Sequence, residues 1–283
     1  GLGDVYKRQV LLGEVWEDCS DKQGPEGRRG YVNGDELDSA MNYPFANAVL
    51  DFLLERCDAP ALAGRLMAQR EWYPAPFYRA CLNLLSSHDI VRAITALSGA
   101  PGRDELTRAQ QAAYTPAPEQ ARLGRERFML ATAIQMFCPG VPCVYYGDEA
   151  GVTGMADPFN RRTYPWGGED RAVQARVAAL MRLRRDLAAL RAGRCRMGAL
   201  SPAVFGVVRY TDGGELALLL VNRGDAPCTV QPAQELFAEG PDADAPMPLD
   251  GPCTDEEGRA CAPLAAAPLT VPPHAALIRI RRA

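Results

Sequence analysis

The sequence predicts an α/β fold, a parallel sheet covered by helices, with a small all-β unit behind it. Three observations carry that expectation. Three short apolar runs each end in small residues and then acids: Val10–Leu12 into Gly13-Glu14, Leu82–Leu85 into Ser86-Ser87-His88-Asp89, and Val141–Tyr146 into Gly147-Asp148-Glu149. Buried parallel strands read as continuous apolar runs, and strands that end at a barrel mouth present polar residues there. Strand and helix patterns alternate to about Ala192, as a helix-covered parallel sheet requires. Beyond Gly193 the helical periodicity stops and short strand-like runs take over.

Each element follows from local chemistry. Val10–Val15 reads as a strand and Asp18–Gly34 as a polar, Gly-rich loop. A helix is expected within Glu36–Cys57, carrying Val49, Phe52 and Leu53 on its apolar positions. Asn42-Tyr43-Pro44-Phe45 marks a strand end or turn before it, since Pro suits a first helical turn. A second helical piece covers Ala61–Gln69. Trp72–Phe77, with Pro74 and Pro76, reads as a linker into the strand Cys81–Leu85. A short helix is expected over Ile90–Leu97, and Ser98–Gln120 as a surface excursion. Arg122–Phe137 is a long amphipathic helix stopped by Pro139-Gly140. After the strand Val141–Tyr146 comes a Gly/Pro/Asp-rich loop to Gly168, then a helix over Arg171–Arg191 with Val173, Val177, Leu180, Met181, Leu187 and Leu190 near one face. Strands are expected at Val204–Tyr210, Leu216–Val221, Cys228–Gln231 and Ala275–Ile280, with Gly193–Pro202 as a boundary and Glu239–Ala262 as loop.

Composition narrows the function classes. With 283 residues, 47% of them hydrophobic and 23% charged, the chain has the make-up of a globular protein with a sizeable core. A net charge of -4 recommends neither nucleic acid nor an anionic membrane as partner. No apolar run approaches the roughly 20 residues that span a bilayer. The nine cysteines are scattered with no C-x-x-C pair, which reads as reduced thiols in a cytoplasmic protein. His88 and His274 are the two histidines, too few for a His/Cys zinc cluster, so no metal and no cofactor is expected. Residues 1–9 contain no methionine and no signal-peptide pattern, and read as a non-native leader ahead of native sequence that begins near Val10.

The strand ends resemble those of the α-amylase superfamily, glycoside hydrolase family 13, in its neopullulanase, cyclomaltodextrinase and α-glucosidase-like branch. Gly13-Glu14-Val15-Trp16 is similar to the motif at barrel strand five. Asn83-Leu84-Leu85-Ser86-Ser87-His88-Asp89 resembles strand seven, and Pro142-Cys143-Val144-Tyr145-Tyr146-Gly147-Asp148-Glu149 strand eight. Asp157-Pro158-Phe159-Asn160-Arg161 and Asp38–Phe45 point to the branch. The likeness runs from Val10 to about Trp166. It implies the C-terminal half of a (β/α)8 TIM barrel, strands five to eight, over 10–192, followed by a small all-β sandwich domain over 193–283. The family's nucleophile, an aspartate in a Gly-x-Arg-x-Asp motif at strand four, has no counterpart in this sequence; nor does the Asp-x-x-x-Asn-His motif of strand three. The chain is therefore read as a C-terminal fragment, inactive by itself.

The resemblance assigns roles residue by residue. Glu14 is the expected general acid/base of a retaining glycosidase, protonating the glycosidic oxygen and later activating water. Asp89 is the expected transition-state carboxylate, holding hydroxyls of the sugar at the cleaved bond; an N-cap for the following helix is its structural alternative. His88 would donate to a hydroxyl of the same sugar. Trp16 would stack on the leaving-group sugar, or else be a buried core residue. Asp157 and Arg161 would bind the next sugar toward the nonreducing end, or else pair with each other. Asp148 and Glu149 read as structural acids, and Tyr43 and Tyr146 as core. The implied partner is an α-glucan oligosaccharide of maltodextrin, pullulan or cyclodextrin type, with no nucleic acid and no membrane. A homodimer is left open for the full-length protein. An α-glucan transglycosylase and a noncatalytic amylase-fold scaffold protein are the alternatives.

Overall fold

A computed structural model describes residues 9–25, 27–232, 236, 251–264 and 267–283. Most of the expected leader, 1–8, and the first half of the expected Glu239–Ala262 loop, through 250, lie outside the described residues.

In chain order, β1 (Leu12–Gly13) is followed by a hairpin, β2 (Gln23–Gly24) and β3 (Gly27–Arg28), and then by β4 (Ser39–Ala40). β4 lies just ahead of Asn42–Phe45, where a strand end or turn was expected before the helix. The helix α1 (Tyr43–Leu53) starts only after Asn42, whose side chain accepts from the Phe45 N–H while Pro44 occupies the first turn. α2 (Ala59–Trp72) is capped by Asp58. The expected linker instead holds a helix, α3 (Ala75–Ala80): Pro76 sits in its first turn, where the missing N–H costs nothing. β5 (Leu82–Leu84) and α4 (Ala93–Leu97) follow. α4 begins three residues later than expected and Arg92, not Asp89, is its N-cap, so the capping alternative for Asp89 falls. The excursion contains α5 (Arg108–Ala113), started by Thr107 and Gln110 in a reciprocal cap. α6 runs Pro118–Phe137, and β6 covers Val141–Cys143.

The expected 21-residue helix is two, α7 (Arg171–Asp186) and α8 (Ala188–Ala192), broken at an extended Leu187. Met181 is 50% exposed and not on the buried face. Among the described residues the strands are completed by β7 (Arg194–Ala199), β8 (Val204–Tyr210), β9 (Leu216–Asn222), β10 (Cys228–Val230), β11 (Cys253–Thr254), β12 (Ala260–Cys261), β13 (Leu269–Val271) and β14 (Ala275–Arg281). β7 occupies the expected boundary, and β11 and β12 fall within the expected loop.

β1 pairs in parallel with β4, β5 pairs in parallel with β6, and a Met41–Leu82 bridge joins the two pairs. The four strands thus lie side by side in chain order with their C-terminal ends together. They are shorter than the apolar runs suggested. β1 and β6 have a partner on one side only among the described residues, and a ladder extends no further than the neighbour that accepts it. The later strands form a six-stranded sheet ordered β12-β11-β14-β9-β8-β7, antiparallel throughout, beside a β10–β13 ribbon.

β8 and β9 are buried along their whole length because both faces are covered. Phe205, Val207, Ala217, Leu219 and Val221 join the core formed by the helices. Val204, Val208, Tyr210, Leu216, Leu218 and Leu220 face a second core that includes Val230 and Val271 of the ribbon. Successive side chains point to opposite faces, so one continuous apolar run feeds two cores. The C-terminal carbonyls of α6 are held by two arginines. Arg184 donates to the Met136, Cys138 and Gly140 carbonyls, and Arg209, 2% exposed, donates to that of Phe137. Burial and the nearby Arg209 charge pull Arg184 down to about 10.

Candidate active site

Glu14 stands one residue past β1, and His88 and Asp89 stand a few residues past β5, at the shared C-terminal end of the parallel strands. β4 alone separates the two strands. One ligand atom each of Glu14, His88 and Asp89 lie within 4.8 Å of one another, inside the roughly 10 Å over which paired glycosidase carboxyls work. His88 Nε2 is 3.2 Å from Asp89 Oδ2 and 3.7 Å from Glu14 Oε1. All three side chains remain a third or more exposed, at 37%, 40% and 33% for Glu14, His88 and Asp89, so an incoming molecule can reach them.

Arg161 Nε donates to Asp157 Oδ1 at 2.6 Å, the mutual pair that the alternative reading expected. Its other arm also reaches Asp89 Oδ1 at 3.5 Å, so the Asp157–Arg161 loop is brought to the carboxylate cluster. Trp16 is not a core residue. It is 48% exposed, with its ring stacked at 4.4 Å and 6° on Tyr43.

The backbone that carries these groups is fixed by buried polar contacts. Asn42 Nδ2 donates to Asn83 Oδ1 at 2.9 Å, Asn83 Nδ2 donates to the Pro139 carbonyl at 2.7 Å, and Gln135 Nε2 donates to the Asn83 and Cys143 carbonyls. These tie β4, β5, β6 and α6 into one register. Asn160 Nδ2 donates to the carbonyls of Ser87 and Ile90, bracketing His88 and Asp89. Arg92, fully buried, donates to the Asn160 and Tyr146 carbonyls and to Asp148 Oδ1 at 3.0 Å, with its guanidinium 4.1 Å from the Tyr145 ring centre. Burial pushes the Asp148 carboxyl up to about 6, against the opposing pull of Arg92. Asp148 is thus a structural partner, and Arg92 and Asn160 are its counterparts. Neither stood out in the sequence, although an arginine three residues past Asp89 at the head of an apolar helix is a signal for a buried, partnered charge.

Tyr43 is 1% exposed, as expected of a core residue, but its hydroxyl reaches Glu14 Oε1 at 2.8 Å and Ser87 Oγ at 3.1 Å. A cavity of about 410 Å³ lies at the other end of the strands, beside Gly140 and Arg209, and touches none of these carboxylates.

Residues 2–187 match the alpha-amylase catalytic domain. The chain is 36% identical over 246 residues to an amylopullulanase of Thermoanaerobacter thermohydrosulfuricus, covering 80% of this chain and 16% of that protein. It is 31% identical over 251 residues to a cyclomaltodextrinase of Geobacillus thermopakistaniensis, covering 87% of this chain and 34% of that one. In structure it is similar to a cyclic alpha-maltosyl-(1→6)-maltose hydrolase of Arthrobacter globiformis, with a TM-score of 0.72 at 25% identity over 99% of this chain and 51% of the other. The chain therefore spans between a sixth and about half of the length of these three proteins.

Proposed function

Because the chain belongs to the alpha-amylase family, we propose that it supplies the acid-bearing half of a retaining α-glucan hydrolase. In this reading β1, β4, β5 and β6 are strands five to eight of a (β/α)8 barrel. The sheets after 193 make a C-terminal β-sandwich domain. Residues ahead of this stretch supply strands one to four and the aspartate nucleophile. The apolar exposure of Val10, Leu12 and Val141 beside β1 and β6 supports that reading, since those are the edges such strands would cover.

The chemistry follows from the residues in hand. Glu14 gives its proton to the glycosidic oxygen as the bond to the anomeric carbon breaks, and the aspartate nucleophile takes up that carbon. Glu14 then removes a proton from the water that hydrolyses the ester. Asp89 is acceptor-only when ionised and holds sugar hydroxyls while its charge offsets the oxocarbenium-like transition state. His88, between the two carboxylates, donates to the same sugar. Trp16 offers a ring to the leaving-group side, and Asp157 with Arg161 takes the next sugar on the other side. Maltodextrin, pullulan and cyclodextrin are the substrates to expect from the relatives' names. Nine free cysteines accord with a reducing, cytoplasmic setting.

The single observation that carries the proposal is the convergence of Glu14, His88 and Asp89 at one strand end. The test is proton NMR of the first product formed from maltotriose by the protein that contains this chain. Release of the α-anomer is expected. First release of the β-anomer would overturn the retaining mechanism, and absence of release from any of the three substrates would overturn the enzymatic reading.

A further inference from the structure

The structure assigns to Tyr43 a positioning role toward Glu14, one that rests on the reading of Glu14 as the acid. The Tyr43 phenol is buried among Ala46 and Leu84 in a small apolar cluster, and burial pushes it up to about 12, so it keeps its proton through the working range of any such enzyme. A hydroxyl has one hydrogen to give. The carboxylate at 2.8 Å is the stronger acceptor, so Tyr43 donates to Glu14 Oε1 and accepts from Ser87, 3.1 Å away. Ser87 Oγ in turn accepts the Asp89 N–H at 3.2 Å. A chain of hydrogen bonds therefore runs from the Asp89 backbone through Ser87 and Tyr43 to Glu14.

Trp16 locks the geometry from the other side. It lies two residues past Glu14 and is stacked flat on the Tyr43 ring, so the segment bearing the acid is pinned to α1 by a ring contact and a hydrogen bond together. Removing the phenol oxygen frees one carboxylate oxygen of Glu14 while leaving the stack in place. The lost function is orientation of the proton donor, not contact with the sugar.

The test is a double-mutant cycle in the enzyme that contains this chain. A hydrogen bond to a carboxylate is among the stronger ones, so Tyr43→Phe should lower kcat on maltotriose about 10- to 100-fold with KM little changed. In a Glu14→Gln background the same substitution should cost less than about 3-fold, because the group it positions is already gone. Ser87→Ala should lower kcat in the same direction by less. Urea unfolding of each variant separates misfolding from misplacement. An equal loss from Tyr43→Phe in both backgrounds, or a loss carried by KM, overturns the positioning role. A Glu14→Gln enzyme of undiminished kcat overturns the acid reading instead, so the two failures are distinguishable.

Discussion

At the residue scale, the site sorts into groups that a substrate can reach and groups that hold them. Glu14, His88, Asp89 and Trp16 are partly exposed, whereas Tyr43, Arg92, Asn160 and Asp148 are buried. Arg92 and Asp148 form a pair with side-chain exposures of 0% and 4%. Breaking a buried pair strands its partner at a cost of about 3–5 kcal/mol. Arg92→Met should destabilise the protein by that order, read as a drop in the urea midpoint. The pH dependence of Asp148 has a definite sign. Its folded carboxyl titrates near 6 against an ordinary value of 3.8, so folding tightens the proton. Its favourable contribution is full below pH 3.8 and lost as pH rises through 6. Relative to Asp148→Asn, the wild type should therefore lose stability between pH 4 and pH 7. A difference that stays flat or grows in that window would contradict the assigned direction.

At the element scale, legibility tracked length and burial. The strand ends were readable because apolar runs stop at acids; that pattern pointed to Glu14, His88 and Asp89 alongside Asp148 and Glu149, and the resemblance separated the two sets. β4 is two residues long and β7 begins Arg-Cys-Arg, so neither has a run that periodicity can detect. α3 was obscured by prolines that its first turn tolerates. The buried polar ties, Asn42 to Asn83 and Gln135 to two carbonyls, join residues far apart in sequence and leave no local signal. The α6–β6 turn depends on one of them. Gly140 has φ +108°, and a Cβ there would sit 2.7 Å from the Asn83 Nδ2. Gly140→Ala should destabilise by about 1–3 kcal/mol through strain alone, with displacement of Asn83 adding to it. Thermal unfolding of that single variant checks the figure, and an unchanged midpoint would show that the turn relaxes freely.

At the scale of the whole molecule, the helices and the six-stranded sheet share one core. Phe52 of α1 and Phe205 of β8 meet with ring centres 6.4 Å apart, inside a cluster that also takes in α6, α7 and β9. Phe205→Ala should cost about 3–5 kcal/mol and shift one cooperative transition. Two separated unfolding steps would show that the halves are independent. The chain alone should release no glucose or maltose from maltotriose, since it lacks the motif that carries the nucleophile. In the proposed mechanism Glu14 and Asp89 divide the work of bond cleavage, and kcat/KM on two substrates separates their parts. Loss of a general acid costs typically 10²–10⁴-fold on maltotriose, whose leaving group needs a proton. In the protein that contains this chain, Glu14→Gln should recover most of that loss on α-glucosyl fluoride, whose leaving group needs none. Asp89→Asn should remain impaired on both, because charge develops at the sugar whatever departs. Equal impairment of Glu14→Gln on the two substrates would contradict the assignment.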